Sequence, residues 1–572
     1  MSDYMEKLVS IQKNAEEGNL ELAFQDCESI IADWPHKSEA LHLSAYILIL
    51  RGLPEQAIPR LLTAISSQQD NAGYHATLAI AYQSDGKLQE ACASYRRVLE
   101  LNPDDQETLI ALADIISQKG IDPAKVIAAK GTSLKVMGYL ISKSLEYAER
   151  ATAIGSDHAG AVWIDKMLHR HLQENVFKVV DAAVPDDIGR GKHKVIYSLR
   201  VTGRIGHLIS EPFLLKCLYD PDEYDIIILT LPRDAAISGP VFDISMRQTF
   251  PVELEPKHPA LKMWGINCGI HTIDDRTYVL DRIGDLAGRV LKNLKGGDFP
   301  HRYSLNEEEL DQGQKLRREM GIPPDAPIVT LYVREMGFFP SLTYHSIRNG
   351  NIDNYLPAVK YLTDEGFYVV RIGDDKMHRL PDMGPQVIDA PFHKANNKFV
   401  ELYFVSQSTF MLKTISGPDN LSITFGVPSL LTNMYWTPIV ATIKDDLCIP
   451  KKYYSHRYRR NLTLSEIADD KKLLFSGNAS DFTARHIELL ENTEEEILAA
   501  TQEMISRLRG EHQENVSNST RFRNLCQRIH NDSKNDIYSD YHMELDADYF
   551  GPHLSRLNIS DAYCEFNPDF LW

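Results

Sequence analysis

The sequence has no apolar run of the roughly 18 or more residues that a membrane-spanning helix takes. Its longest apolar stretch near the start, Ala45–Leu50, is short and lies inside a helical pattern. The opening ten residues hold Asp3 and Glu6 and no apolar core, so no secretory signal is expected. Cysteine is sparse: Cys27, Cys92, Cys217, Cys268, Cys448, Cys526 and Cys564 are scattered, odd in number and never paired as C-x-x-C. That excludes a disulfide framework and a zinc knuckle, and the reading is of reduced thiols in a cytoplasmic protein. Positive charge is in deficit. Sixty-one Lys and Arg against 80 Asp and Glu leave −19, which argues against nucleic acid or an anionic membrane as the main partner. A local basic pocket for a small anion stays open. No G-x-S-x-G, H-E-x-x-H or Walker pattern occurs.

What is present begins with a repeat. The chain of 572 residues is 43% apolar, enough for about three or four domains with their own cores. Gly18, Gly52, Gly86 and Gly120 recur every 34 residues; Ala23, Ala57 and Ala91 keep the same period, and Pro35 and Pro103 do so with Gln69 breaking the series. The fullest unit carries Ala79 and Tyr82 on one helix, Gly86 at the turn, Ala91, Tyr95 and Val98 on the next helix, and Pro103 at the exit. This resembles the tetratricopeptide repeat, with small residues where two helices touch and glycine where they reverse. Residues 4–120 are covered, and a looser pair, 144–154 and 159–168, extends the array. Such solenoids bind protein partners, or else stiffen a neighbouring domain.

Beyond the linker at 185–193 the pattern turns to α/β. Lys194–Leu199 reads as a buried strand, Thr202–His207 as a glycine loop, Glu211–Leu218 as a helix and Asp225–Leu231 as a second strand. A second unit opens with a capping box, Ser304 with Glu307, and a helix to Met320. Strands are expected at Ile328–Val333, Phe367–Ile372, Phe410–Ile415 and Ser429–Leu431, with a helix at Asp353–Glu365. In open α/β sheets ligands bind beyond the carboxyl ends of strands, and Arg334, Asp374, Ser416, Gly417 and Asn433 all fall there.

Further motifs carry a resemblance. Tyr332-Val-Arg334-Glu, Arg348-Asn349-x-x-x-Asp353-Asn354-Tyr355-Leu356-Pro357, Arg371-Ile-Gly373-Asp374, Ser416-Gly417, Phe425-Gly426-Val-Pro428 and Asn433 follow in this order. Gly206-His207-Leu208 with Glu211 opens the module, and Leu557–Tyr563 with Asn567–Leu571 closes it. Over residues 194–572 the chain resembles a family of bacterial glycosyltransferases often fused to tetratricopeptide repeats. The resemblance implies the two-Rossmann GT-B fold, with a nucleotide-sugar donor in the second half and the acceptor at the first. It implies a donor set of Arg334, Asn349, Asp353, Asp374, Ser416, Gly417 and Asn433. Fucosyltransferases of that fold place a His-x-Arg at a strand end; Tyr332 stands at the first position here, so the sugar stays open.

The chemistry fits those residue types. A departing diphosphate needs guanidinium, hydroxyl and N–H groups around it. Arg334 suits a bidentate phosphate contact; its alternative is an ion pair with Glu335 or Asp353. Ser416 and Gly417 either face the phosphates or form an ordinary strand-to-helix turn. Lys413 and Arg371 read as solvated or ion-paired strand residues. His207 is a candidate general base, with a local capping role as the alternative; Glu211 is a second base or the orienter of His207, and Asp374 a third. Asp220-Pro-Asp222 and Asp546-Ala-Asp548 spell an Asp-x-Asp pattern, but neither follows a strand, and His169-x-His171 lacks a third ligand. No metal and no cofactor beyond the nucleotide-sugar co-substrate are therefore expected.

The expected organisation is a tetratricopeptide α-solenoid at residues 1–175, an acceptor-side Rossmann-like domain at 190–310, a donor-side Rossmann-like domain at 320–450, and a helical extension and tail at 451–572. The expected function is transfer of a sugar to a protein or glycan acceptor that the repeats recruit. The alternatives are a surface-polysaccharide transferase, a non-catalytic scaffold, and a nucleotide-sugar epimerase.

Overall fold

The computed structural model describes residues 2–34, 37–102, 105, 107–108, 111–112, 172–263, 269–281, 283–294, 298–335, 343–435, 443, 445–470, 473, 479–533 and 557–572. They fall into two compact units, Met1–Lys178 and Val179–Trp572.

Among the described residues of the first unit six helices pair as α1 (Ser2–Glu16) with α2 (Leu20–Asp33), α3 (Ser38–Leu50) with α4 (Pro54–Ser67), and α5 (Ala72–Ser84) with α6 (Leu88–Leu101). Gly18, Gly52 and Gly86 each adopt a left-handed φ, +86°, +75° and +74°, at the turn inside each pair. A side chain there would be strained, which is why glycine repeats at this place. Ala23, Ala57 and Ala91 are wholly buried where paired helices touch, and so are Ala45 and Ala79, also one period apart. Gly120 and the helical pair at 144–168 lie outside the described residues.

The second unit holds two parallel α/β lobes. In the first lobe the strands are β1 (His193–Leu199), β2 (Tyr224–Thr230), β3 (Phe250–Glu253), β4 (Ile270–Ile273) and β5 (Arg276–Val279), in the order β3-β2-β1-β5-β4, with only β4 antiparallel. Ile226 to Leu229 are all fully buried, as expected of a sheet covered on both faces. The helix α7 (Ile205–Leu218) starts six residues before the expected Glu211 and takes His207 and Glu211 into its first two turns.

In the second lobe β6 (Ile328–Tyr332), β7 (Tyr368–Arg371), β8 (Val387–Asp389), β9 (Phe410–Lys413), β10 (Ser429–Met434), β11 (Leu447–Pro450) and a late strand at Asn558–Ile559 form one wholly parallel sheet. Their order, from the late strand, is β11-β10-β9-β6-β7-β8. Strand order reverses between β6 and β9, the crevice where such sheets bind ligands.

Three expectations change. The helix Glu307–Glu319 is capped by Asn306, not Ser304: Asn306 Oδ1 accepts from Glu309 N–H at 2.9 Å, and Glu309 returns the bond at 2.8 Å. The expected helix from Asp353 is a 3-10 turn, Ile352–Tyr355, followed by helix Leu356–Asp364. The segment 451–572 is no simple helical tail. It supplies a three-stranded antiparallel sheet of β12 (Lys452–Ser455), β13 (Arg460–Asn461) and β14 (Ile487–Leu490), and then completes the large sheet through Asn558–Ile559.

Candidate functional site

β6 buries every side chain and delivers Arg334 to the crevice two residues past its end. The Arg334 N–H donates to Thr414 Oγ1 at 2.8 Å, tying the exits of β6 and β9 together. Its guanidinium Nη1 donates to Asn349 Oδ1. Asn349 is held in turn by Lys451, whose buried Nζ donates to the Asn349 carbonyl at 2.8 Å. Arg348 donates through Nε to Tyr435 Oη at 3.2 Å and lies close enough to Arg334 to disfavour its charge. Burial first, and then Arg348, push the Arg334 pKa down; burial also lowers that of Lys451. Arg334 and Lys451 thus meet Asn349 at two different oxygens, its side-chain amide and its main-chain carbonyl. Arg348 and Lys451 were not expected in the site. Arg348 stood inside the quoted motif, whereas nothing local marked Lys451, 102 residues from its partner.

Glu335, one alternative partner for Arg334, is turned elsewhere. It accepts from Arg371 Nη2 and from His378 Nδ1, both at 2.8 Å. Arg371 is wholly buried and also meets Asp389 at 3.2 Å, so it is an ion-paired strand residue as expected. Lys413 is likewise structural: its Nζ donates to Ser422 Oγ at 2.8 Å and to the Asp419 carbonyl at 3.1 Å.

At the exit of β9, Ser416 Oγ accepts from Tyr332 O–H at 3.0 Å. The Ser416 N–H donates to Asp419 Oδ2 at 3.2 Å, and Asn420 Nδ2 donates to the Gly417 carbonyl at 3.2 Å. Burial raises the Asp419 pKa to about 6. Gly417 approaches the first lobe directly. A methyl group on Gly206, at the start of α7, would lie 3.0 Å from Gly417 Cα; one on Gly417 would lie 3.0 Å from Ile205 Cγ2 and 3.1 Å from Gly206 N. The two glycine loops, more than 200 residues apart in sequence, touch backbone to backbone.

The next residue after Gly206 is His207. Its Nδ1 pairs with Glu211 Oε1 at 2.6 Å, one helical turn on. Glu211 is completely buried, and its other oxygen accepts from Tyr197 O–H on β1 at 2.7 Å. The two bonds engage both carboxylate oxygens of Glu211, one with the ring and one with β1. Glu211 is thus wholly buried and holds the His207 ring at Nδ1.

Three expected donor residues have partners of their own. Asp353 is exposed on the turn at 352–355, its N–H capped by Asn351. Asp374 sits in a turn, accepting from Lys376 N–H at 2.9 Å, next to Gly373 at φ +137°. Asn433 is turned into the fold. It is 1% exposed at φ +50°, its Nδ2 donates to Tyr355 Oη at 3.0 Å, and it exchanges two bonds with Asn492, at 2.6 and 2.8 Å. With its amide used on both sides, it staples the end of β10 to the segment before helix Glu494–Leu508.

Asp220 and Asp222 form an exposed turn, and Asp546 and Asp548 lie outside the described residues. Among the described residues one group has metal-ligand spacing: Glu503, His512 and Asp561. Arg507 pairs with Glu503 at 2.8 Å and Asp561 at 3.5 Å, so a guanidinium already balances those carboxylates.

A family model for the tetratricopeptide repeat matches residues 72–105. No curated protein matches the sequence. Among solved structures, the glycosyl transferase family 9 protein of Veillonella parvula DSM 2008 is similar at 13% identity over 43% of this chain and 81% of that one, TM-score 0.26. A mutant of the Thermobaculum terrenum O-GlcNAc transferase is similar at 14% identity over 99% of both chains, TM-score 0.22. The protein MamA is similar at 15% identity over 33% of this chain and 99% of that one, TM-score 0.24. Residues 72–105 are thus a tetratricopeptide repeat, and the order and direction of the strands make the second unit a pair of Rossmann-like lobes, the GT-B arrangement anticipated from its motifs.

Proposed function

We propose that the second unit is a glycosyltransferase using a nucleoside diphosphate sugar. One observation carries this reading: the contact of Gly206 with Gly417 sets the His207–Glu211 pair beside the strand-end turn that adjoins the Arg334 site. Arg334 and Arg348 hold the diphosphate, with Ser416 and the Gly417 backbone at its edge. His207 Nε2 takes the proton of an acceptor hydroxyl. That oxygen bonds to the anomeric carbon, the bond from that carbon to the diphosphate oxygen breaks, and its electron pair leaves on the diphosphate. The guanidinium groups offset the charge that appears there, so the step is proposed without a metal.

The tetratricopeptide unit is proposed to recruit the acceptor, a protein or a glycan, or a partner protein. The test is donor turnover. Purified full chain is incubated with a panel of nucleoside diphosphate sugars, and release of the diphosphate is followed. Calorimetry with the free nucleoside diphosphates supplies the second readout. Binding in the wild type that is lost in Arg334→Ala supports the reading; no binding of any nucleoside diphosphate overturns it.

A further inference from the structure

The chain carries −19 overall, yet one exposed hairpin is strongly basic. Between β12 and β13 the sequence runs Ser455-His456-Arg457-Tyr458-Arg459-Arg460-Asn461, and all six residues from His456 to Asn461 are exposed. The turn is well formed: Arg459 N–H donates to the Ser455 carbonyl at 2.7 Å, Tyr458 N–H to Ser455 Oγ at 3.3 Å, and Arg459 adopts φ +56°. A non-glycine residue in that region is strained, so the shape is held by its surroundings. Tyr458 is 57% exposed, with the guanidinium carbons of Arg457 and Arg460 each 5.6 Å from its ring centre.

The nearby acids take only part of this charge. Glu466 binds Arg460 in bidentate fashion at 2.6 and 2.8 Å, Glu488 meets His456 at 3.0 Å, and Asp569 acts on Arg460 at longer range. Among the described residues, Arg457 and Arg459 have no ion-pair partner. A second arginine–aromatic stack lies close by. Leu464, three residues past β13, donates its N–H to the Phe570 carbonyl at 2.7 Å, which brings the stretch 570–572 to this edge. There Arg521 stacks 3.7 Å from the ring centre of Trp572, which is 64% exposed.

We propose that this hairpin docks the protein onto an anionic bilayer surface. A tight four-residue turn is a convex tip and offers no groove for a peptide or glycan chain. It can enter the headgroup layer, where a ring with a polar end is at home and guanidinium groups meet lipid phosphates. The proposal is independent of sugar transfer.

The test is flotation of the full chain with vesicles of phosphatidylglycerol mixed into phosphatidylcholine, against pure phosphatidylcholine. Binding is expected to the anionic vesicles alone and to fade as salt is raised. At roughly fivefold per basic residue near such a surface, Arg457→Gln with Arg459→Gln should weaken it roughly 25-fold. Tyr458→Ser should weaken binding also at high salt, where the charge term is screened. These residues are exposed, and circular dichroism checks that the fold is kept. Failure of the wild type to float with anionic vesicles, or equal flotation of the double variant, overturns the proposal. So does hairpin-dependent binding to an acidic protein or soluble polyanion without binding to vesicles.

Discussion

Gly206 and Gly417 meet so closely that a single methyl group on either would stand 3.0 Å from the other loop. Neither has the positive φ that demands glycine for conformational reasons, so close approach is what excludes a side chain. Gly206→Ala must push Gly417 and its turn away. The expected cost is about 1–3 kcal/mol of stability, read as a lower thermal midpoint. The turn must give by a few tenths of an ångström, so turnover should also fall, by less than the roughly hundredfold loss that a misplacement of about 1 Å costs. Wild-type turnover in this variant would mean that the lobes need not abut for catalysis.

The His207–Glu211 pair predicts a separation of turnover from donor affinity. His207→Ala should lower turnover by about 10²- to 10⁴-fold and leave nucleoside diphosphate binding close to wild type. Glu211→Gln keeps the shape but offers Nδ1 an amide in place of a carboxylate, so turnover should fall, by less than in His207→Ala. Steady-state kinetics and calorimetry on the same samples decide it. Equal loss of donor affinity in both variants would put the histidine on the donor and not on the acceptor.

Arg334, Asn349 and Lys451 form a graded series. Arg334→Ala removes the charge proposed to face the diphosphate and should weaken binding by about 1.5–3 kcal/mol, the range for a bond to a charged group. Lys451→Met acts only through the Asn349 carbonyl, which it leaves without its lysine donor, so its effect should be smaller. A Lys451 variant weaker than Arg334→Ala in calorimetry would reverse the assigned roles.

Local pattern made part of this legible. The 34-residue glycine period is written into the sequence because each turn needs a left-handed residue, and Gly18, Gly52 and Gly86 supply it. Strand ends such as Arg334 and Ser416 were also legible, since apolar runs stop there. Contacts across long separations were not. Lys451 reaches Asn349, and Asn492 captures Asn433 from 59 residues away, with no local sign of either. The early start of α7 hid the burial of Glu211, which depends on Tyr197 from the neighbouring strand.

Asn433 tests the difference between a ligand and a staple. Asn433→Ala deletes its bonds to Tyr355 and Asn492 Nα and leaves a β-carbon residue at φ +50°. The expected loss is about 2–4 kcal/mol, since buried partners are orphaned and the backbone is strained. Urea unfolding should show that loss, while donor affinity measured on the folded fraction stays within about twofold of wild type, the span of a surface-like effect on binding. A large affinity loss with unchanged stability would return Asn433 to the donor set.

Lys216 sets a pH dependence. It lies on α7, 2% exposed, with Nζ donating to the Ser245 carbonyl at 2.8 Å and standing 4.8 Å from the ring centre of Tyr303. Burial, helped by the charge of Arg247, pushes its pKa down from 10.5 to about 7. Between those two values the unfolded chain holds a proton that the folded chain has released. Stability contributed by this group therefore rises with pH across the window, by at most about 1.4 kcal/mol per pH unit, and the penalty is full below it. Cys217 beside it is raised from 9.0 to about 12, so its own contribution falls only above its ordinary value and is common to both proteins compared below. Lys216→Met removes the titrating group, so its urea-unfolding free energy should climb less steeply than the wild type's from about pH 7 to about pH 9. Parallel pH profiles for the two proteins would show that the ammonium group reaches water in the folded state.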